Sequence, residues 1–159
     1  MRRFEKISLK EFHKTYSENE DIYYKNLNMP KRGSKYSAGY DISVPWDIDL
    51  PARSTVKIPT LLKVCMEDDE VVLVDVRSSL GFKHNVRLCN TIPVIDKDYY
   101  NCEANEGHIF LKLYNPNDYD IHFTEGERIA QAIFIKYLIT DDDDSYKERI
   151  GGIGSTNKK

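Results

Sequence analysis

The feature that most restricts the fold is a train of short alternating segments separated by turn residues. Tyr40-Asp41-Ile42-Ser43-Val44, Asp47-Ile48-Asp49-Leu50 ahead of Pro51, and Ser54 to Ile58 alternate apolar and polar side chains. Leu61 to Met66 and Val71 to Val76 are apolar, β-branched-rich runs divided by the acidic turn Glu67-Asp68-Asp69-Glu70. Ile109 to Tyr114, Asp120 to Phe123 and Ile129 to Leu138 complete the series. A period of two sends alternate side chains to one face, so each alternating segment reads as a strand with one buried side. Many such strands at close spacing, with little helix, predict an all-β sandwich, jelly roll or barrel. Eleven tyrosines against a single tryptophan fit half-buried sheet positions.

Before this train, Phe4 to Ser8 reads as a short strand. Ser8 followed by Glu11, with Leu9, Phe12 and Tyr16 at helical spacing, predicts a capped short helix. Ile22-Tyr23-Tyr24 reads as another strand, and Met29-Pro30-Lys31-Arg32-Gly33-Ser34 as a loop. After the train, Asp141 to Asp144 reads as a solvated linker. Arg149-Ile150-Gly151-Gly152-Ile153-Gly154-Ser155-Thr156 is too glycine-rich to build a core and reads by itself as a frayed terminus. The expectation is one domain over 1–159, with about 1–35 an N-terminal extension and about 141–159 a mobile C-terminal arm.

The formal net charge of −3, without a basic stripe, argues against duplex nucleic acid as a partner. It leaves room for a polyanionic small molecule, provided that a few cations and a divalent metal offset the ligand's charge. Cys65, Cys89 and Cys102 show no C-x-x-C spacing and read as reduced thiols, not as a zinc site or disulfide frame. His13, His84, His108 and His122 are scattered and match no metal pattern. No apolar run approaches the roughly 20 residues that a membrane span needs. Met1 to Lys6 carries no signal-peptide core, so a cytoplasmic location is expected.

The chemistry concentrates in Thr91-Ile92-Pro93-Val94-Ile95-Asp96-Lys97-Asp98-Tyr99-Tyr100. In extended backbone, Val94, Asp96 and Asp98 share one face, and Tyr99 leaves from the other unless the strand bends. Pro93 lacks an N–H and argues for a turn or strand edge. The stretch reads as a hairpin arm carrying an acid into a pocket beside an aromatic wall. Taken alone, it reads more readily as a surface turn with solvated aspartates.

Four further segments accompany it: Ala38-Gly39-Tyr40-Asp41-Ile42, Arg77-Ser78-Ser79-Leu80-Gly81, Gly126-Glu127-Arg128-Ile129-Ala130-Gln131-Ala132-Ile133, and the glycine-rich tail. With the Asp96 stretch, preceded by Asn90, this set resembles the five motifs of the homotrimeric dUTPase family, in the same order and with similar gaps. The resemblance implies a β jelly roll, distorted into the β-clip of that family, with a short N-terminal helix and a flexible tail. It implies hydrolysis of dUTP to dUMP and pyrophosphate with Mg²⁺, by a homotrimer whose chains share active sites.

On that resemblance, Asp96 positions and activates the attacking water, Tyr99 packs beneath the deoxyribose, and Asn90 reads uracil. Asp41 orients water bound to the metal, and so would hold Mg²⁺ only through water. Arg77, Ser78, Ser79 and Gln131 contact phosphates, with Ser79-Leu80-Gly81 opening a short helix. Arg149, Ile153, Ser155 and Thr156 belong to a tail that closes over the nucleotide.

Three departures stand against the pattern. Ile153 replaces the family's usual Phe, which exchanges stacking for aliphatic contact at a cost of about 1 kcal/mol. Pro93 stands where the third motif usually begins with Gly, and Tyr100 to Gly107 is longer than the usual turn. That segment is expected as a loop at the mouth of the site or against a neighbouring subunit. A deaminase of the same fold, acting on dCTP, needs a glutamate base where this chain has Lys112. A nucleotide-sensing or protein-binding module without turnover is the remaining alternative.

Overall fold

A computed structural model describes residues 1–145 of the chain. Arg149, Ile153, Ser155 and Thr156 lie outside the described residues.

The alternating segments form strands almost as read. In order they are β1 (Arg3–Lys6), β2 (Lys31–Arg32), β3 (Tyr40–Ser43), β4 (Ile48–Leu50), β5 (Thr55–Pro59) and β6 (Leu62–Cys65). There follow β7 (Glu70–Val76), β8 (Arg87–Leu88), β9 (Val94–Ile95), β10 (Phe110–Tyr114), β11 (Ile121–Phe123) and β12 (Arg128–Lys136). All pairings are antiparallel, and the largest sheet runs β2-β3-β12-β7-β9. Three smaller sheets, β5-β10-β8, β1-β6 and β11-β4, supply the remaining strand pairs. Their inward faces meet in a core that includes fully buried Ile42, Leu50, Ile58, Leu113, Phe123 and Ile129. This is the mostly-β, jelly-roll-like arrangement that the strand spacing predicts.

Among the described residues three short helices interrupt the strands: α1 (Leu9–Phe12), α2 (Asp21–Asn26) and α3 (Ser78–His84). Ser8 caps α1 by accepting the Glu11 N–H at 3.0 Å, as its position predicts. The expected strand at Ile22-Tyr23-Tyr24 is helical instead and lies inside α2. Glu20 Oε2 accepts the Ser17 N–H at 2.8 Å, and a single 3-10 turn from there leads directly into α2. This start signal outweighs the strand preference of two adjacent aromatics. The predicted loop after Met29 contains the two-residue strand β2, which pairs Lys31 with Asp41.

Segment 91–100 is also less extended than expected. β9 ends at Ile95, and Asp96, at φ −79° and ψ 156°, leads into a 3-10 turn over Lys97–Tyr99. The strand-face relation between Asp96 and Asp98 therefore does not hold. Tyr99 turns inward and is buried, while Asp96 and Asp98 remain exposed. The acidic turn of residues 67–70 holds this corner, since Asp68 pairs with Lys97 and Asp69 pairs with Lys136 at 2.5 Å.

Candidate active site

Two separate groups of side chains emerge from this frame. The first surrounds a cavity of about 100 Å³ lined by Asn90, Pro93, Val94, Asp96, Tyr99 and Phe110. Asn90 enters it from a tight turn in which Thr91 has a positive φ of 62° and the Ile92 N–H reaches Asn90 O at 2.7 Å. Pro93 fits its place because it needs no donor: its carbonyl accepts the Val74 N–H at 3.1 Å at the end of the short β9–β7 pairing. Tyr99 forms one wall, and its hydroxyl donates to His108 O at 2.8 Å. Asn90, Asp96 and Tyr99 are thus brought together around one cavity.

Behind this wall His108 is buried and accepts the Leu61 N–H on Nε2 at 3.1 Å. Burial, reinforced by the Lys57 ammonium nearby, lowers its pKa from 6.5 to about 4. The unfolded chain therefore takes up this proton below about pH 6.5, whereas the folded chain does so only near pH 4. Stability is complete above pH 6.5 and declines as pH falls from there to about 4, by about 3 kcal/mol from this group. Urea unfolding at pH 7 and pH 4.5 measures this decline. His108→Gln, which retains an acceptor but does not titrate, is expected to flatten it.

The second group lies across β3, β12 and the start of α3. Asp41 pairs with Arg77 Nε at 3.2 Å and with Arg128 Nη1 at 2.9 Å. Directly opposite residues share a sheet face, so Asp41, Gln131 and Lys31 line one row. Arg128 and Gln131 are three apart and in a regular strand would face opposite ways. A register shift between Arg128 and Ala130 places Arg128 opposite Ser43, on the same face as Asp41 and Gln131. A side chain at Gly39 would put its Cβ 2.5 Å from Gln131 Oε1, so glycine keeps Gln131 in place. Ser78 and Ser79, expected at the start of a short helix, occupy the exposed first turn of α3. Asp75, exposed and opposite Gln131 on β7, continues the row. Lys31, Arg77 and Arg128 thus stand with two carboxylates, of which Asp41 is already paired to both guanidiniums. The remaining positive charge suits an oxyanion-rich ligand.

Arg128 and Gly39 were quoted within the motifs but given no role from sequence. The register shift that turns Arg128 toward Asp41 leaves no composition signal. Lys112, the residue at the deaminase base position, is exposed on β10 opposite Lys57.

The family model described as dUTPase matches residues 25–156. The chain belongs to the dUTPase family. Among its relatives is the deoxyuridine 5'-triphosphate nucleotidohydrolase of Lactococcus lactis, 42% identical over 137 residues, spanning 84% of this chain and 91% of that protein. The Arabidopsis thaliana protein of the same name is 36% identical over 133 residues, spanning 80% and 75%. The crystal structure of dUTPase from Streptococcus mutans superposes with a TM-score of 0.72 at 35% identity, covering 87% of this chain and 98% of that one. At 17% identity and a TM-score of 0.67, the fold is shared with a point mutant of the dUTPase from phage phi11 of S. aureus, which coordinates a structural Mg(II) ion. That structure covers 92% of this chain and is itself covered over 97%.

Proposed function

We propose that this chain hydrolyses dUTP to dUMP and pyrophosphate, in the cytoplasm, as a homotrimer with shared active sites. The observation that carries the reading is the convergence of Asn90, Asp96 and Tyr99 on one cavity, with Asp41, Arg77 and Gln131 gathered as a second group. Residues 1–159 act as one catalytic unit in this reading.

Uracil enters the cavity, where the Asn90 amide offers both a donor and an acceptor to the base edge. Tyr99 lies under the deoxyribose and leaves no space for a 2′-hydroxyl. Asp96 accepts a proton from water as its oxygen bonds to the α-phosphorus and the bond from that phosphorus to the bridging oxygen breaks. Pyrophosphate leaves with the electron pair. Arg77, Ser78, Ser79 and Gln131 hold the phosphate oxygens on which charge accumulates. Arg149, Ile153, Ser155 and Thr156 close over the nucleotide and exclude bulk water.

The donor set fits a magnesium ion that arrives on the triphosphate. Among the described residues no three His, Cys, Asp or Glu side chains gather to hold a metal. Asp41 would hold the ion through water, since its carboxylate is already paired with two guanidiniums. When bound, Mg²⁺ supplies charge neutralisation to the phosphates.

Distance supports the shared site. Asp41 on β3 and Ile95 on β9 are three strand spacings apart, about 14 Å. Asp96 continues beyond Ile95, away from the row of Gln131 and Asp75, so the two groups stand roughly 19 Å apart within one chain. One α-phosphate cannot touch both. A second copy bringing its Arg77 group to the Asp96 cavity completes the site, and a strictly monomeric protein in solution would overturn this part of the reading.

Pyrophosphate release from dUTP, with dCTP, dTTP and UTP alongside, in Mg²⁺ and then in chelator, tests the proposal. Metal-dependent release from dUTP alone is expected. Ammonia from dCTP would place the chain with the deaminases. Saturable dUTP binding without turnover would make it a sensor, with Ile153 the first residue to revert to Phe.

A further inference from the structure

The loop of residues 100–108, longer than the family's usual turn, packs on Tyr99 of the cavity wall. It lies between the N-terminal segment and Tyr99. Asn105 Nδ2 donates to the Tyr99 hydroxyl at 2.8 Å, while its Oδ1 accepts from the Gly107 N–H at 3.1 Å and from Cys102 Sγ at 3.2 Å. Both polar atoms of that amide thus serve the local geometry. Gly107 has φ +80°, and a Cβ there would lie 2.4 Å from Tyr99 O. The loop backbone therefore rests directly on the backbone of Tyr99.

The far side of the loop is bonded to the start of the chain. Glu106 accepts from the Ser8 N–H at 2.9 Å and the Ser8 hydroxyl at 2.5 Å, and pairs with Lys63 at 3.3 Å. Burial alone would raise the Glu106 pKa, but the bonds from Ser8 and Lys63 outweigh it and hold the carboxyl below its ordinary value. Lys63 Nζ also donates to Asn101 Oδ1 at 2.7 Å, and the Tyr100 hydroxyl donates to Glu5 Oε2 at 2.7 Å. Glu5 sits opposite Lys63 in the β1–β6 pair. β1 is itself fixed on the main sheet by Phe4, whose ring packs 5.5 Å from those of Tyr40 and Phe134. Glu5 and Ser8 precede residue 25, where the family match begins.

We infer that residues 5–8 and the 100–108 loop form a strut that positions the Tyr99 ring, with Asn105 the positioning residue that sets discrimination between deoxyribose and ribose triphosphates. The consequence for sugar choice rests on the proposed dUTP hydrolysis, in which Tyr99 meets the 2′-position; the strut itself does not. A ring held by hydrogen bonds at its hydroxyl and by a backbone contact below resists tilting away from a bulkier sugar. Removing Asn105 takes away one of those bonds, and the ring gains room to yield.

Two measurements on the full chain test this. Hydrogen–deuterium exchange is read over residues 97–108 in the parent, in Asn105→Ala and in Ser8→Ala, the second placed at the remote end of the strut. Faster exchange there in both variants, with β7 and β12 unchanged, is the expected result. Exchange equal to the parent in both overturns the strut, whatever the activity. The ratio of kcat/KM for dUTP over UTP is then measured in Asn105→Ala, in Tyr99→Phe and in the double variant. Asn105→Ala is expected to lower the ratio about tenfold, mainly by raising kcat/KM for UTP, as the loss of one hydrogen bond allows. In the Tyr99→Phe background it is expected to add nothing, because both act through one hydroxyl. Equal losses on both substrates, or additive effects in the double variant, overturn the role in sugar choice. A parent chain that fails to hydrolyse dUTP overturns the proposed function instead, and the exchange measurement still decides the strut.

Discussion

Asp96→Asn is expected to slow pyrophosphate release from dUTP by about 10²–10⁴-fold while nucleotide binding survives. The substitution keeps the shape of the side chain and the cavity that it lines with Asn90 and Tyr99. It removes the carboxylate that would take a proton from water and leaves an amide in its place. Asp96 is exposed and precedes a 3-10 turn, so the change disturbs no buried charge and folding is expected to be unaffected. Calorimetric titration with a non-hydrolysable dUTP analogue, beside a pyrophosphate assay, separates the two effects. Turnover at the parent rate would show that another group is the base.

Mixing two inactive variants is expected to restore activity. Asp96→Asn disables one half of a site, and Arg77→Ala removes the guanidinium that pairs with Asp41 in the other half. If each site takes Asp96 from one chain and Arg77 from its neighbour, refolding the two together yields some sites with both halves intact. At equal proportions this is about a quarter of the sites, and the recovered rate should follow. Two variants mixed after folding, without subunit exchange, remain inactive and serve as the control. No recovery after co-refolding would mean that both halves belong to one chain, contrary to the distance across β3, β12, β7 and β9.

Much of this arrangement can be read directly from the residues. Period-two alternation locates β3, β4 and β5, and β-branched runs locate β6, β7 and β12 to within a residue or two. Ser8 announces its helix because capping is a local event. The errors arise where one local signal competes with another. Ile22-Tyr23-Tyr24 has strand-forming residues, but the Ser17–Glu20 start signal upstream decides the matter. Asp96 and Asp98 alternate along the chain, yet the backbone leaves the strand between them, and Tyr99 is drawn inward by bonds to His108 and Asn105.

The candidate site is legible in the sequence mainly through the order of its motifs. Nothing in either segment alone says that Asp41 and Gln131 stand opposite each other, because strand register is set by the whole sheet. The approach of Arg128 to Asp41 depends on an irregularity in β12 that has no compositional mark. Asn105 and Glu106 belong to the loop expected at the mouth of the site or against a neighbouring subunit, and no role follows for either from the residues alone. Their role emerges only when Ser8, about a hundred residues earlier, is seen beside them.

The largest sheet ends at both sides in strands of two residues, β2 and β9. Outermost strands normally offer a ladder of free amides and carbonyls on which another chain can continue the sheet. Here so short a ladder gives little purchase, and β2 consists of Lys31 and Arg32, both exposed, which repel an identical edge by charge. Copies of this chain are thus discouraged from continuing this sheet edge to edge into open-ended fibres. In the proposed homotrimer, contact would then fall on side-chain faces, where a ring of defined size closes and a polymer does not.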